Sequence, residues 1–336
     1  MKNIVIDIHA HFTPELIFER FDANAARFRG VKLLRDDKGI RTQFPGGEPT
    51  RPISPKLWNF DERRAWMDKN GIDHQMLGGW LDTFGYELPP QEGLEWSRFL
   101  NDCLWDALRD EQRFTPLATV PLQDGKLAAQ VLGETLERGF GGAMIGTLPS
   151  GMGGNLDDPS LDPFWGEASR LQAAIYLHPM FLCGEPRLAD YDLVNAIGRL
   201  ADTSIAVSRL LFSGHLLKFP GMKFIASHGG GALPYALGRL ARNHAISQGK
   251  YADPRKGFEA MYFDSCVFDS DALEYLAKKS SAERIMLGSD TPFPIGDPAP
   301  TRAVEGTCFT EAQKKSILGS TAQSVFRVRP DCWCPQ

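Results

Sequence analysis

Two histidines that stand two residues apart, His9 and His11, lie at the end of an aliphatic run near the start of the chain. The run over residues 4–10 predicts a short buried strand. Because successive side chains of a strand point to opposite faces, both imidazoles point the same way. Two such imidazoles can bind one divalent metal ion. Taken alone, the pair fits structural histidines better than a metal site.

Three further polar side chains stand where later apolar runs end, namely His178, His228 and Asp290. Imidazole and carboxylate are ligands that zinc and related divalent ions prefer. Five such side chains at strand ends indicate a site for one divalent metal ion. Zinc is the expected ion, with manganese or cobalt as alternatives. The remaining histidines are interpreted as structural or surface residues: His74, His215 and His244.

A fold that gathers strand ends on one side would bring these residues together. Eight strand-like runs, near residues 4, 72, 115, 141, 173, 223, 261 and 284, alternate with helical patterns along the chain. This alternation predicts a (β/α)8 TIM barrel rather than an open doubly wound sheet. In such a barrel the chemistry lies at the C-terminal ends of the strands. The five polar side chains occupy those positions.

One segment, residues 12–57, does not follow the alternation. It is irregular and rich in glycine, proline, arginine and aspartate, with a short antiparallel strand predicted near residues 39–44. We interpret it as a small insertion after the first strand, over the active-site mouth. The whole chain, residues 1–336, is then expected to form one metal-dependent barrel domain.

Composition restricts the classes of function. The chain has 336 residues, 43% of them hydrophobic, and a net charge of −5 without a basic block, which favours a small-molecule partner over nucleic acid. No apolar run is long enough for a membrane span, so we expect a cytoplasmic protein. Six scattered cysteines are interpreted as reduced thiols, with Cys332 and Cys334 in a frayed tail. No glycine-rich nucleotide motif is present, so no organic cofactor is expected.

The motifs around these residues resemble the amidohydrolase superfamily and, more narrowly, its aminocarboxymuconate-semialdehyde decarboxylase family. The matching pieces extend over nearly the whole barrel: Asp7-Ile8-His9-Ala10-His11-Phe12, Arg51-Pro52 ahead of Leu57-Trp58, Val120-Pro121-Leu122-Gln123-Asp124, Leu177-His178-Pro179, His228-Gly229-Gly230-Gly231, Phe263-Asp264-Ser265 and Leu287-Gly288-Ser289-Asp290-Thr291-Pro292-Phe293-Pro294.

The resemblance implies roles for single residues. The expected metal ligands, which would hold the ion together with a water, are His9, His11, His178 and Asp290. His228 would be the catalytic acid or base beside them, with Asp290 also in the catalytic set. Arg51 would bind a substrate carboxylate. Arg239 would reach into the site of a neighbouring subunit, which implies a homodimer.

These roles predict a metal-dependent, non-oxidative decarboxylase that acts on an unsaturated or aromatic carboxylic acid, with a metal-bound water and His228 handling protons. A metal-dependent carbon–carbon hydrolase or hydratase of an aromatic-degradation intermediate is the alternative. The particular substrate stays open, because Thr291 stands where the decarboxylase typically has tyrosine. The loop over residues 180–190 also lacks tryptophan, with Phe181 and Tyr191 as candidate replacements.

Several other residues carry two interpretations. Asp7 points the same way as the first histidines but lies deeper, so we interpret it as a group at the barrel floor or behind a ligand. Asp264 ends the seventh strand and either orients His228 or is purely structural. Four aromatic side chains are interpreted as core more readily than as a stacking surface for substrate: Trp58, Trp80, Phe84 and Tyr86.

Overall fold

The structure is a computed structural model that describes residues 4–151, 153–180 and 185–329. The described residues contain ten strands: β1 (Ile6–His11), β2 (Lys32–Asp36), β3 (Gly39–Gln43), β4 (His74–Gly78), β5 (Phe114–Ala118), β6 (Gly142–Gly146), β7 (Ala174–His178), β8 (Lys223–Ala226), β9 (Tyr262–Asp264) and β10 (Ile285–Met286). All except β2 and β3 are parallel and form one sheet, in which the spatial order follows the chain. This order confirms the predicted TIM barrel.

The barrel closes between β1 and the segment that follows β10. The backbone N–H of Asp290 donates to the carbonyl oxygen of His9 at 2.8 Å, and the N–H of His11 donates to the oxygen of Thr291 at 2.8 Å. These bonds continue the sheet past the end of the short strand β10. Closure therefore sets Asp290 beside the two histidines of β1.

Helices surround the sheet: α1 (Leu16–Asn24), α2 (Phe60–Lys69), α3 (Pro90–Leu108), α4 (Gly125–Arg138), α5 (Asp162–Arg170), α6 (Arg199–Ser213), α7 (His215–Lys218), α8 (Leu233–Ile246), α9 (Pro254–Glu259), α10 (Ser270–Lys279), α11 (Thr301–Glu305), α12 (Glu311–Lys315) and α13 (Thr321–Val325). A π-helical turn, Val194–Gly198, leads directly into α6. Residues 193–213 therefore form one continuous helical segment, which is followed by the short α7. No helix in the described ranges has the length and apolarity needed to cross a bilayer.

Helix α4 shows how the local sequence sets the bounds of an element. The side chain of Asp124 accepts hydrogen bonds from the backbone N–H groups of Lys126 and Leu127, which caps the first turn. Gly139 ends the helix with φ of 107°, a conformation that glycine adopts without steric cost. The helix buries its apolar face on the sheet.

The strands are buried on both faces, as expected for a parallel sheet covered by helices. Every residue of β1, β4, β5, β6 and β7 is buried. Their short, almost continuous apolar runs are therefore the reason that the barrel could be predicted from sequence.

The insertion has a small apolar core of its own. Phe28 packs against Trp96 and Phe99 of α3, with ring centroids 5.1 and 5.0 Å apart. Trp58, near the end of the insertion, packs against both this core and the barrel core. The N–H of Thr13 donates to the oxygen of Leu57, so the two ends of the insertion lie side by side.

The antiparallel strand predicted near residues 39–44 is confirmed: it is β3, which pairs with β2. Helix α1 was not predicted, because the irregular composition of the segment hides its apolar face. Ile17, Phe18 and Phe21 form that face and are buried. Three apolar residues in one short helix do not give enough hydrophobic periodicity to predict the helix from sequence.

Candidate metal centre and active site

The five polar side chains at strand ends meet at the C-terminal end of the barrel. His9 and His11 lie at the end of β1, His178 is the last residue of β7, His228 follows β8 and Asp290 follows β10. All five are buried, with exposed fractions between 0 and 9%. Parallel strands end on the same side of a barrel, so residues that are far apart in sequence form one cluster.

Four of these side chains bring one ligand atom each to a common centre. The ligand atoms of His9, His11, His178 and Asp290 all lie within 4.8 Å of one another. Oδ1 of Asp290 is 3.3 Å from Nε2 of His9 and 3.1 Å from Nε2 of His11. Nε2 of His228 lies 3.5 Å from the other carboxylate oxygen, Oδ2. His228 is therefore beside the group of four.

Hydrogen bonds at the Nδ1 atoms of His9, His11 and His178 fix the orientation of the three imidazole rings. Nδ1 of His11 lies 3.1 Å from the carbonyl oxygen of Gly79, and Nδ1 of His178 lies 2.9 Å from that of Pro179. Nδ1 of His9 faces a carboxylate. Carbonyl and carboxylate oxygens only accept hydrogen bonds, so Nδ1 carries the hydrogen in each ring. The lone pair of each Nε2 then points into the centre.

The inward-facing atoms fit a divalent ion. Nε2 of His9, His11 and His178 and Oδ1 of Asp290 are buried, and none makes a hydrogen bond of normal geometry within the described residues. A buried polar atom without a partner costs about 1–3 kcal/mol, so four of them at one point are unfavourable unless a ligand binds them. Three imidazoles and one carboxylate are a donor set that zinc or manganese accepts.

The electrostatics favour the metal-binding, deprotonated forms of His11, His178 and Asp290, whereas for His9 the effect of burial is outweighed by the carboxylates of Asp290 and Asp264, which hold its pKa well above the usual value. Burial, followed by the neighbouring His11 and His9, holds the pKa of His178 well below its usual value. Burial opposes ionisation of Asp290, but the imidazoles around it outweigh that effect and hold its pKa well below the usual value. Burial lowers the pKa of His11 in the same way. Deprotonated ligands are what a divalent ion requires.

Asp264, the last residue of β9, orients His9 and the loop of His228. Its Oδ2 accepts from Nδ1 of His9 and from the hydroxyl of Tyr176, both at 2.7 Å. Its Oδ1 accepts from the backbone N–H groups of Gly229 at 2.9 Å and Cys266 at 3.2 Å. The sequence prediction considered Asp264 as a residue that orients the ring of His228, but the ring that its carboxylate contacts is that of His9. Asp264 contacts the His228 loop at the backbone N–H of Gly229.

Asp7 lies beneath the histidines, as expected, and ties β1 to two neighbouring segments. Its Oδ1 accepts from the N–H groups of His9 at 3.0 Å and Ser289 at 3.1 Å. Its Oδ2 accepts from the hydroxyl of Ser289 at 2.6 Å and from Nε2 of Gln75 at 2.8 Å. Asp7 thus holds the backbone segments that carry the metal ligands, and its own carboxylate does not face the metal centre.

Arg63 is a buried residue of this region that the sequence analysis missed. Nη2 donates to the carbonyl oxygen of His11 at 2.6 Å, and Nη1 donates to Oε1 of Gln75 at 3.2 Å. Burial lowers the pKa of Arg63 to about 10. Its position four residues before the buried Met67 places it on the inner face of α2, and that spacing was the available signal.

His228 has an unusual backbone, which its sequence neighbours accommodate. Its φ is 52°, in the left-handed region that residues with a side chain rarely adopt. The next three residues, 229–231, are glycines with positive φ as well. A Cβ on Gly231 would lie 2.5 Å from the carbonyl oxygen of Leu200. The glycines are therefore required by the turn itself.

Arg51 lies on the insertion and faces β4. Its Nη2 is 3.4 Å from Oδ2 of Asp82, and its guanidinium lies 5.2 Å from the ring centroid of Trp80. The side chain is 52% exposed. Trp80 in turn contacts Phe293, whose ring lies 4.9 Å from that of His11. A line of contacts thus joins Arg51 to the metal centre.

Arg239 lies apart from this cluster, on the exposed side of α8. Within one chain the structure does not bring it to the other candidate residues. Tyr235, on the same helix, is 87% exposed. This placement agrees with the expectation that Arg239 acts outside its own subunit, and that expectation stays a prediction.

The remaining candidates have structural surroundings. Trp80, Phe84 and Tyr86 are buried in the core, and Trp58 is partly buried. His74 and His215 are buried away from the metal centre, and His244 is half-buried. Tyr191 is exposed. Phe181, Cys332 and Cys334 lie outside the described residues.

Comparisons with known proteins agree with this geometry. Residues 6–328 match the model of the amidohydrolase family. The 2-amino-3-carboxymuconate-6-semialdehyde decarboxylase of Dictyostelium discoideum is 31% identical, over 98% of this chain and 93% of that protein. A gamma-resorcylate decarboxylase of a Polaromonas species is 29% identical, over 82% of this chain and 90% of that protein.

A solved structure shows the same fold. It is a dihydroxybenzoic acid decarboxylase from Polaromonas with bound manganese and the inhibitor 2-nitroresorcinol. It is 24% identical and covers 99% of both chains, with a TM-score of 0.76. The family match, over residues 6–328, includes the barrel strands and every residue of the metal centre. The chain therefore belongs to the amidohydrolase family, and within it resembles the aminocarboxymuconate-semialdehyde decarboxylases.

Proposed function

We propose that the protein is a metal-dependent, non-oxidative decarboxylase of an unsaturated or aromatic carboxylic acid. The observation that carries this proposal is the convergence of four inward-facing ligand atoms, from His9, His11, His178 and Asp290, beside His228. The relatives named above are decarboxylases of conjugated acids, which favours this reaction over the alternative hydrolase or hydratase.

A divalent ion held by this set supplies Lewis acidity and lowers the pKa of a bound water. The side chains of the chain provide the rest. His228 has Nε2 near Asp290 and a buried Nδ1 without a hydrogen-bond partner in the described residues. This ring can therefore give a proton to the substrate, or take one from it, while Asp290 holds it in place.

Arg51 provides a site for a substrate carboxylate. Its planar guanidinium can bind a carboxylate through two parallel hydrogen bonds. It is half exposed, and the contacts through Trp80 and Phe293 place it on the same side of the barrel as His11. We propose that the insertion, residues 12–57, covers the mouth and presents Arg51 to the substrate.

A conjugated substrate suits this reaction. Loss of carbon dioxide leaves an electron pair on carbon, which an unsaturated or aromatic system delocalises and which a proton from His228 finally quenches. Phe293, whose ring lies 4.9 Å from that of His11, offers apolar surface beside the metal centre for such a planar molecule.

We propose zinc as the native ion, because three imidazoles and one carboxylate form a donor set typical of catalytic zinc. Manganese is the alternative, since it is the ion bound in the Polaromonas structure. We also propose a cytoplasmic location. Cys103, Cys266 and Cys308 are free thiols, which is typical of a reducing compartment.

We propose that the protein is a homodimer in which Arg239 enters the partner's site. Helices α6 and α8 pack together and expose large apolar residues, with Ile205 58%, Tyr235 87% and Ile246 57% exposed. An apolar face of this kind is typical of a subunit interface. Two inactive variants, His228→Asn and Arg239→Ala, should regain activity when they are mixed, because one hybrid site then holds both residues. Failure to regain activity would contradict the shared site.

A substrate panel tests the reaction. Purified protein is incubated with unsaturated and aromatic carboxylic acids, and the products are followed by mass spectrometry. Loss of the mass of carbon dioxide is the expected result. Gain of the mass of water, with or without cleavage, would instead establish a hydratase or hydrolase. His9→Ala and Asp290→Ala should each reduce the metal content measured by elemental analysis, and unchanged content would contradict the metal site.

The role of Arg51 has a separate test. Arg51→Lys keeps the charge but loses the planar pair of donors, so KM should rise while kcat changes less. Arg35→Lys is the matched control, because Arg35 also lies on the insertion and pairs with the exposed Asp22. Equal KM values for the two variants would leave Arg51 as a surface residue.

A further inference from the structure

The peptide group between Pro179 and Met180 is held at both ends by one helix. Nη1 of Arg199 donates to the carbonyl oxygen of Pro179 at 3.4 Å, and the N–H of Met180 donates to Oδ2 of Asp202 at 2.8 Å. Arg199 and Asp202 are three residues apart on α6, so they lie on the same face of the helix. The helix therefore fixes the orientation of this peptide plane.

The same peptide group orients a candidate metal ligand. The carbonyl oxygen of Pro179 accepts from Nδ1 of His178 at 2.9 Å, which leaves Nε2 as the inward ligand atom. The corresponding acceptor for His11, the carbonyl oxygen of Gly79, also belongs to the first residue after a strand, β4. The Pro179–Met180 peptide group is in addition bound by two residues of α6.

Asp202 is buried and accepts hydrogen bonds from two other segments of the chain. It is 5% exposed, and its Oδ2 accepts from the hydroxyl of Thr147 at 2.6 Å in addition to the N–H of Met180. Thr147 follows β6, the strand beside β7. One carboxylate oxygen thus joins the ends of two neighbouring barrel strands to α6.

We propose that Asp202 is a positioning residue for the metal centre. Through the Pro179–Met180 peptide group it fixes the ring orientation and the Nδ1–H tautomer of His178, and it thereby raises the affinity of the site for a divalent ion. Groups that orient metal ligands in this way typically change metal affinity about 10- to 100-fold when they are removed. This inference rests on the metal site proposed above.

The test measures zinc binding to the full-length, metal-free protein by competition with a chromophoric chelator. Asp202→Ala removes the acceptor at 2.8 Å and leaves the N–H of Met180 with its longer bond, to Oγ1 of Thr147 at 3.3 Å, so the dissociation constant for zinc should rise about 10- to 100-fold. Asp202→Asn keeps one oxygen that can accept both bonds, so its dissociation constant should stay within about threefold of the wild type. Asp157→Ala is the control: it removes an ion pair to Arg209 of the same helix and should leave zinc affinity unchanged.

A second readout separates positioning from a general loss of structure. In metal-free protein with 15N-labelled histidine, the ring shifts of His178 should report Nδ1–H in the wild type and in Asp202→Asn, and a tautomer mixture in Asp202→Ala. A wild-type zinc affinity or a wild-type tautomer in folded Asp202→Ala would overturn the inference.

The two proposals can fail separately. If the wild-type protein itself binds no zinc, the proposed metal site fails, and the tautomer of His178 still decides whether Asp202 orients that ring. If Asp202→Ala does not fold, Arg199→Met replaces it; this variant removes the donor to Pro179 and also the bond from Nε of Arg199 to Oδ1 of Asn195, so the tautomer of His178 is measured beside the zinc affinity. That variant should weaken zinc binding about threefold to tenfold, and unchanged binding would overturn the inference.

Discussion

Replacing Asp264 with asparagine should weaken both the metal centre and the fold. The carboxylate accepts four hydrogen bonds, two on each oxygen, from His9, Tyr176, Gly229 and Cys266. An asparagine has a single oxygen, so its NH2 group must face two of these donors. The backbone N–H groups of Gly229 and Cys266 cannot become acceptors. The NH2 group will therefore face His9 and Tyr176.

His9 can adapt only at the expense of its ligand atom. To accept from the new NH2 group at Nδ1, the ring must move its hydrogen to Nε2, which then no longer binds metal. Loss of such an orienting carboxylate typically weakens metal binding about 10- to 100-fold, or about 1.4–2.8 kcal/mol. The fold loses charge-assisted hydrogen bonds but no longer buries a charge, which leaves a net loss of about 1–3 kcal/mol.

Two measurements separate the loss of metal affinity from the loss of stability. Zinc affinity of the metal-free protein is measured by competition with a chelator, and the free energy of unfolding is measured in urea. Asp269→Asn is the matched control, because Asp269 is exposed and accepts from the N–H of Ala272 as the cap of α10. Asparagine caps a helix as well as aspartate does, so this variant should stay within about 0.5 kcal/mol of the wild type.

The reasoning would be refuted by a folded Asp264→Asn protein that binds zinc as tightly as the wild type. Such a result would mean that the tautomer of His9 does not depend on the carboxylate. Loss of stability without loss of zinc affinity would limit Asp264 to a structural role, which was the second interpretation from the sequence.

Three further predictions concern stability. Burial lowers the pKa of His74 to about 3, so the unfolded chain binds more protons than the folded one below pH ~6.5 and stability falls as the pH drops. Between pH 7 and pH 5 this histidine should cost about 2 kcal/mol, and His74→Gln should remove that part of the slope in urea unfolding. Arg63→Met leaves the oxygen of His11 without its buried donor and should lower the free energy of unfolding by about 2–4 kcal/mol, whereas an unchanged value would contradict the role of Arg63. A chelator should lower Tm by several degrees, since an ion at 100 times its Kd adds about 2.7 kcal/mol, and it should have no effect on His11→Ala.

The barrel could be predicted because its strands are buried on both faces and therefore consist of short apolar runs. Their positions in sequence were enough to place His178 and Asp290 at strand ends. Helix α1 could not be predicted in the same way. It is stabilised by Phe18 and Phe21, which pack in the apolar core of the insertion together with residues of α3 that lie far along the chain.

The groups that orient the ligands are the part of the site that sequence patterns did not predict. Arg63 and Gln75 stand in none of the motifs, and the motif that contains Ser289 does not indicate its partner; the roles of all three come from bonds to residues of other segments. The same holds for the contact between Asp264 and His9, since 255 residues separate them. A hydrogen bond of this kind depends on the distance and direction between two side chains, and neither is encoded in local spacing.

The sequence by itself determined which donors are present and at which strand ends they stand: His9, His11, His178, His228 and Asp290. It did so because strand periodicity and barrel topology are local consequences of apolar patterning. The tertiary structure alone decided which nitrogen of each ring faces the centre, through acceptors such as Asp264 and the carbonyl oxygen of Pro179. Those acceptors belong to other segments or depend on other helices, so only the folded chain brings them within hydrogen-bond distance.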